Sequence, residues 1–368
     1  YADCLILAYA DDVHCLGPPA RAAAAYKRWD FLYTAVLQGS LKDSKSICFG
    51  PNLSEAAVRA AGIPTSMPFT QAGTKVLGAP VGTDAFCVDF AMEKIAAIAA
   101  DIDVIGRMQS FQAQHCLLTG AVQHRTNHLL RNISGAEPLY NDSMVAYDTK
   151  LLSVPLRIAR RATFPDIQRA LCGLSLSRGG LGYRTWKSTA DCAHLASYIH
   201  ASAHIPAMFP ALAQCFPPIL TLVPKVGPVP APPSQRAGSA ARALVRLTAS
   251  APLLRERIEN AKGPLRHTQH VLASAVDEAE AKRVTEQIMR SDNPDLPRHM
   301  ELFLSNQGDP STLGLVPSDP ETTFPNDVFG KGFARRLLQS IELTTRSERR
   351  QCPSCHAHSV EVPGEKRP

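Results

Sequence analysis

Two kinds of apolar pattern divide the chain near residue 90. Before that point the apolar runs are short. Two of them flank an Asp-Asp pair within residues 4–17, which predicts a β-hairpin with the acids at its tip. Residues 19–38 repeat apolar positions at intervals of four and three residues, which predicts a helix ending before Gly39. A second small hairpin is predicted around residues 76–82.

Beyond residue 90 the spacing of apolar residues is mainly helical. One long helical pattern runs from Phe90 to about Asn132 and breaks near Gly106 and Gly120. Residues 216–239 are rich in Pro, Gly and Ser, and we interpret them as a linker. The other predicted helices cover residues 141–161, 187–203, 240–263, 269–290 and 331–342.

The composition is typical of a folded, mainly helical protein. Of the 368 residues, 45% are hydrophobic and 20% are charged, while aromatic residues make up 6%. Abundant Ala and Leu favour helices packed on helices. The predicted fold class is therefore mainly α with a small antiparallel β element. The formal net charge of +6 suits a polyanionic partner, although many other proteins share such a charge.

Cysteine usage and hydropathy indicate an intracellular protein, in the nucleus or the cytoplasm. Most of the ten cysteines stand singly in apolar stretches, as small buried hydrophobes do in a reducing compartment. No apolar run is long enough to span a bilayer, so no membrane partner is expected. The amino-terminal apolar stretch has no basic region before it and is not interpreted as a signal peptide.

The pair Asp11 and Asp12 is the strongest candidate for chemistry. Adjacent carboxylates repel each other, and a hard divalent cation such as Mg²⁺ is the usual compensation. In nucleotidyl transfer, two such ions about 4 Å apart activate the primer 3′-hydroxyl and stabilise the leaving pyrophosphate. Taken alone, the pair is also compatible with a plain polar turn, because Asp is common in turns.

The residues around this pair resemble those of a known family. Residues 9–12 (Tyr-Ala-Asp-Asp) resemble the Tyr-x-Asp-Asp catalytic motif of reverse transcriptases, with the Ala typical of the non-LTR retrotransposon type. Residues 39–46 place Lys45 where the family has its Lys, although Lys42 stands where Asn is usual. Residues 77–80 (Leu-Gly-Ala-Pro) resemble the primer-grip hairpin. The order and spacing of these motifs carry the resemblance.

The resemblance continues downstream. Residues 126–131 (Thr-Asn-His-Leu-Leu-Arg) resemble a thumb-region helix, and residues 176–182 resemble the family's Gly-Gly-Leu-Gly turn. Arg157, Arg160 and Arg161 fall on one face of a predicted helix and are expected to contact the template–primer backbone. Arg178 is expected to contact phosphate. A solvated helix face and a plain loop between helices are the respective alternatives.

The family implies an RNA-directed DNA polymerase that uses an RNA template, a DNA primer, deoxynucleotides and Mg²⁺. The implied catalytic residues are Asp11 and Asp12, as Mg²⁺ ligands, and Lys45, which assists pyrophosphate departure. The implied primer- and template-binding residues are Tyr9, Ala10, Leu77, Gly78, Arg157, Arg160, Arg161 and Arg178.

The resemblance also implies an organisation into consecutive segments. These are a palm remnant (1–89), a thumb-like helical domain (90–215), the linker (216–239), a C-terminal helical region (240–346) and a Cys/His tail (347–368). In the tail, Cys352, Cys355 and His358 have the start of a zinc-knuckle spacing. Tetrahedral Zn²⁺ needs four ligands, so a truncated knuckle is the favoured interpretation.

The chain begins without Met and within a strand-like run, as expected of a fragment or an incomplete gene model. The family's metal site also needs a third carboxylate from a strand upstream of the hairpin, and its fingers hold the incoming nucleotide. We therefore expect no independent polymerase activity. The alternatives are a non-catalytic, retroelement-derived nucleic-acid-binding protein and an unrelated helical protein with a chance Tyr-Ala-Asp-Asp.

Overall fold

The described part of the chain is mainly helical and carries three two-stranded sheets. This agrees with the predicted class. The computed structural model describes residues 4–9, 12–224, 231–260, 268–290, 301 and 323–337, and of residue 335 the backbone alone.

Thirteen α-helices lie within these described residues. They are α1 (Pro19–Leu37), α2 (Glu55–Ala60), α3 (Asp84–Gly106), α4 (Phe111–Gly120), α5 (Thr126–Asn132), α6 (Asn141–Ile158), α7 (Asp166–Gly173), α8 (Trp186–Met208), α9 (Ile219–Leu222), α10 (Gln235–Ser250), α11 (Leu254–Glu259), α12 (Thr268–Met289) and α13 (Asn326–Arg336).

Two of the three sheets are antiparallel hairpins. β1 (Leu5–Tyr9) pairs with β2 (Asp12–Leu16), and β5 (Gly73–Val76) pairs with β6 (Ala79–Gly82). Both hairpins were predicted from the sequence. The third sheet is a parallel pairing of two residues each, between β3 (Cys48–Phe49) and β4 (Phe69–Thr70). That short parallel pair lies outside the predicted antiparallel element.

The chain divides into two compact units that interleave along the sequence. Unit 1 comprises the described residues within 1–98, 125–147 and 190–244, and unit 2 those within 99–124, 148–189 and 245–368. The domains predicted from the sequence are, in contrast, consecutive segments.

Unit 1 has a small apolar core beneath α1. Ala23 of α1 packs with Val58 of α2 and with Ile63 and Met67 of the following loop. Tyr26 lies against this cluster, one turn along α1 from Ala23. Burial of these apolar side chains stabilises the segment between the two hairpins. The far end of α1 is different, because Phe31 and Val36 are exposed.

Unit 2 is organised by buried polar side chains on α4. The side-chain Oε1 of Gln112 accepts a hydrogen bond from the Phe324 backbone amide at 2.8 Å. Nδ1 of His115 lies 3.0 Å from the Tyr183 hydroxyl, and the His115 ring packs edge-on against Phe333 of α13. Buried polar groups need such partners, and these contacts fix α13 and the segment after α7 on α4.

Several helix ends differ from the predicted ones for identifiable reasons. α10 begins at Gln235, inside the predicted linker, because the Ser234 hydroxyl accepts a hydrogen bond from the Ala237 amide. α9 also falls within the predicted linker. The predicted helix over residues 240–263 is two helices, α10 and α11, separated by a turn at Pro252 and Leu253.

Candidate functional site: the carboxylate hairpin and the Leu77 turn

The carboxylate hairpin is formed by β1 and β2, which pair in antiparallel register. The register runs from Leu5 opposite Leu16 to Tyr9 opposite Asp12. Two positions, Ala10 and Asp11, therefore separate the paired residues, and both lie outside the described residues. Asp12 is exposed at the first position of β2. Tyr9 is 68% exposed.

The apolar side chains of this hairpin are exposed on both of its faces. Residues alternate between faces along a strand, so Leu7 and Leu16 share one face while Ile6 and Val13 share the other. All four are more than a third exposed. β2 also contacts α1. Apolar side chains on both faces are typical of strands that are covered on both sides in a larger sheet.

The Lys45 segment is a single 3₁₀ turn, Asp43–Lys45, in which Lys45 is exposed. Its first residue is well anchored, because the Asp43 carboxylate accepts hydrogen bonds from the hydroxyls of Ser66 and Tyr26. These bonds lower the pKa of Asp43. Burial, followed by the hydrogen bond to Asp43, raises the pKa of Tyr26 to about 12. α1 therefore contacts the carboxylate hairpin and, through Tyr26, holds the Lys45 segment.

The Leu77 turn, Leu77 and Gly78, connects β5 to β6. Val76 pairs with Ala79, so the connection has two residues. Both adopt positive φ, 48° at Leu77 and 81° at Gly78, as a type I′ hairpin turn requires. Ala79 is buried, while the Leu77 side chain is 47% exposed at the tip. Glycine adopts this conformation freely, whereas leucine does so only at a cost.

His128 contacts the Leu77 turn from a different part of the chain. Its Nε2 lies 3.0 Å from the Leu77 carbonyl oxygen, which can only accept, so the ring nitrogen donates. His128 belongs to α5, which contacts β6. This histidine lies within the thumb-like motif of residues 126–131, but no role was predicted for it from the sequence. No local pattern links residues 51 positions apart.

Arg157, Arg160 and Arg161 do not form a stripe on one helix face. The predicted helix over residues 141–161 ends at Ile158 instead. Arg160 has a φ of 52°, and the Arg161 amide donates to the Leu156 carbonyl at 2.9 Å. These contacts form a Schellman end, which reverses the chain after the helix. Arg157 remains helical and donates to the Gln114 side chain at 2.6 Å.

Arg178 lies in the predicted Gly-Gly turn and faces a carboxylate. Its Nη2 is 3.4 Å from an oxygen of Glu278 in α12, and Arg257 lies 2.8 Å from the same oxygen. Arg178 is 42% exposed in its side chain, so a second, external anion can still reach it. The predicted phosphate contact is compatible with this position and stays a prediction.

The structure groups some of the predicted site residues and separates others. The carboxylate hairpin, the Lys45 segment and the Leu77 turn belong to unit 1, whereas the four arginines belong to unit 2. Within the described ranges, which exclude Asp11, no three His, Cys, Asp or Glu side chains converge as metal ligands would. The predicted zinc ligands Cys352, Cys355 and His358 lie outside the described residues.

No family model, no curated protein and no solved structure matches this chain. In the part of the chain that the structure describes, no helix combines the length and the hydropathy that a bilayer crossing needs.

Proposed function

We propose that this chain carries part of the nucleotidyl-transfer site of a reverse transcriptase of the non-LTR retrotransposon type. The observation that carries the proposal is the register of the carboxylate hairpin. Pairing of Tyr9 with Asp12 leaves two positions between the strands, and Asp12 is exposed at the first position of β2. A Tyr-x-Asp-Asp motif needs this arrangement to present both carboxylates to one cation.

The exposed apolar faces of the carboxylate hairpin give independent support. In a polymerase palm the catalytic hairpin is one part of a larger sheet. A hairpin evolved to stand alone would carry polar residues on at least one face. Here Ile6, Leu7, Val13 and Leu16 leave apolar surface on both faces.

The proposed roles follow from position and charge. Asp11 and Asp12 would hold Mg²⁺, which when bound activates the primer hydroxyl and neutralises the leaving pyrophosphate. The exposed Lys45 would supply a positive charge to the departing pyrophosphate, and Asp43, held by Tyr26 and Ser66, fixes the turn that carries it. Leu77 and Gly78 position the primer end, and the arginines of unit 2 contact phosphates.

The proposed chain does not extend primers by itself. The family's two-metal site needs a third carboxylate, and no segment of the sequence resembles the strand that supplies it. We expect instead that the chain binds a recessed RNA–DNA template–primer and that Mg²⁺ strengthens this binding.

Fluorescence anisotropy on the purified full chain tests the proposal. A labelled RNA–DNA template–primer with a recessed 3′ end is compared with a blunt DNA duplex of the same length. We expect tighter binding of the recessed substrate and a Mg²⁺ dependence that the double variant Asp11→Asn/Asp12→Asn loses. Equal affinity for both duplexes, with no effect of the double variant, would contradict the proposed site. Binding of the recessed substrate without any Mg²⁺ dependence would indicate a non-catalytic nucleic-acid-binding protein.

A primer-extension assay with Mg²⁺ and deoxynucleotides completes the test. The expected result is no incorporation above a protein-free control. Robust incorporation would show that the third carboxylate is supplied by a residue of this chain.

A further inference from the structure

Leu77 has a backbone conformation that its neighbours must maintain. Three non-glycine residues have positive φ in the described part of the chain. Two of them, Gln38 and Arg160, end helices, where such a residue is common. Leu77 instead occupies a hairpin turn, where Asn, Asp or Gly is usual. A leucine persists in this conformation only when surrounding contacts hold it there.

His128 supplies such a contact. Its Nε2–H donates to the Leu77 carbonyl at 3.0 Å, and a Cβ added to Gly78 would lie 3.2 Å from the same nitrogen. The imidazole ring therefore sits directly on the turn. Its helix is itself fixed, because Leu129 and Leu130 are buried in unit 1. The hydrogen bond thus ties the turn to a buried element.

The strained turn presents an apolar side chain to solvent. The Leu77 side chain is 47% exposed. A polar Asn would suit both the positive φ of the turn and contact with water. Strain of this kind concentrates at sites that bind ligands. A leucine at a rigid tip can pack against the sugar or base at the end of a nucleic-acid strand.

We propose that His128 is a positioning residue for the primer terminus. It holds the Leu77 turn in its left-handed conformation, so that Leu77 meets the terminal nucleotide of the primer in a fixed orientation. This inference rests on the proposed function, because the primer is the ligand that the turn would contact. His128 acts through the Leu77 carbonyl and does not itself touch the primer.

Amide hydrogen exchange on the full chain tests the hydrogen bond. His128→Ala removes the donor, His128→Gln keeps an N–H at a similar reach, and His204→Ala replaces an exposed histidine on α8 as the control. We expect exchange across residues 73–82 to rise about fivefold in His128→Ala, the effect of one lost hydrogen bond. His128→Gln should restore slow exchange, and His204→Ala should leave it unchanged. Unchanged exchange in His128→Ala would overturn the inference.

Binding of the recessed template–primer tests the link to the primer. His128→Ala should weaken this binding about fivefold, with recovery in His128→Gln, while affinity for a blunt duplex stays the same. Loosening of the turn without any loss of affinity would overturn the positioning role. If the unmodified chain does not prefer the recessed substrate at all, the proposed function fails, whatever the exchange data show about His128.

Discussion

Leu77 combines an unfavourable backbone conformation with an exposed apolar side chain, so stability and binding should respond in opposite directions to its replacement. Type I′ turns favour asparagine, and Leu77→Asn places asparagine at a position whose φ is 48°. We expect the free energy of unfolding to rise by roughly 1 kcal/mol in urea titrations. Affinity for a recessed template–primer should fall.

The matched control for this variant is Val81→Asn. Val81 is similarly exposed on β6 and its φ is not positive, so asparagine there should not stabilise the protein. If Leu77→Asn lowers the free energy of unfolding as Val81→Asn does, the backbone of Leu77 is not strained in solution.

His115 should make unit 2 sensitive to acid. Burial, aided by the positive charge of Arg336, lowers the pKa of His115 to about 4. The neutral ring is therefore favoured in the folded state. The lowered pKa of His115 contributes to the free energy of unfolding. This contribution is complete above pH 6.5, the usual pKa of histidine, and is lost as the pH falls towards 4. The loss over that range amounts to roughly 3 kcal/mol.

The measurement is the free energy of unfolding at several pH values, for the native chain and for His115→Phe. Asp148 also affects how the stability of the native chain depends on pH. Burial raises the pKa of Asp148 to about 6, so its protonation increases the free energy of unfolding as the pH falls. Asp148 is common to both proteins, so the difference between the two curves isolates His115. The variant should lose less stability between pH 6.5 and 4. Parallel curves would show that His115 is not buried as described.

Residues 157–161 show why the predicted helix face was wrong. Spacing alone places Arg157, Arg160 and Arg161 on one helix face. It does not reveal that Arg160 accepts a left-handed conformation and ends the helix. Such an end is normally marked by glycine, which is absent here.

Among the helices, α12 carries a partly buried ion pair. Arg184 donates two hydrogen bonds of 2.6 Å to the two oxygens of Asp277, which is 8% exposed in its side chain. Asp277→Ala would remove both of these hydrogen bonds from the partly buried Arg184 guanidinium. We expect a loss of about 1.5–3 kcal/mol in the free energy of unfolding.

The same helix offers a control for this ion pair. Glu280 pairs with Arg283 on an exposed part of α12, and Glu280→Ala should cost about 0–1 kcal/mol. Equal losses in the two variants, measured by urea unfolding, would contradict the difference in burial.

Apolar periodicity predicted most of the helices, because it reports which side of an element is buried. Helix ends were predicted less well, since caps depend on single residues. Ser234 caps the start of α10 within residues 216–239. These residues were predicted to be a linker because they are rich in Pro and Gly. Contacts between distant segments, such as that of His128 with Leu77, leave no periodic signal at all.

At the scale of the whole molecule, the two hairpins and the Lys45 segment lie in one compact unit, although α1 and α2 separate them in the sequence. The family resemblance marked each of these segments in the sequence. It could not predict that the compact units interleave, because that arrangement depends on which distant helices pack together. The predicted arginines fall in the other unit.

The central claim is that unit 1 contacts the end of a primer, and photo-crosslinking tests it most directly. A primer carrying a photoreactive nucleotide at its 3′ terminus is annealed to an RNA template, irradiated with the full chain in Mg²⁺, and the modified peptides are identified by mass spectrometry. We expect crosslinks within residues 73–82 and 4–16, and fewer of them in Leu77→Asn. Crosslinks confined to residues outside these two hairpins, or unaffected by Leu77→Asn, would contradict it.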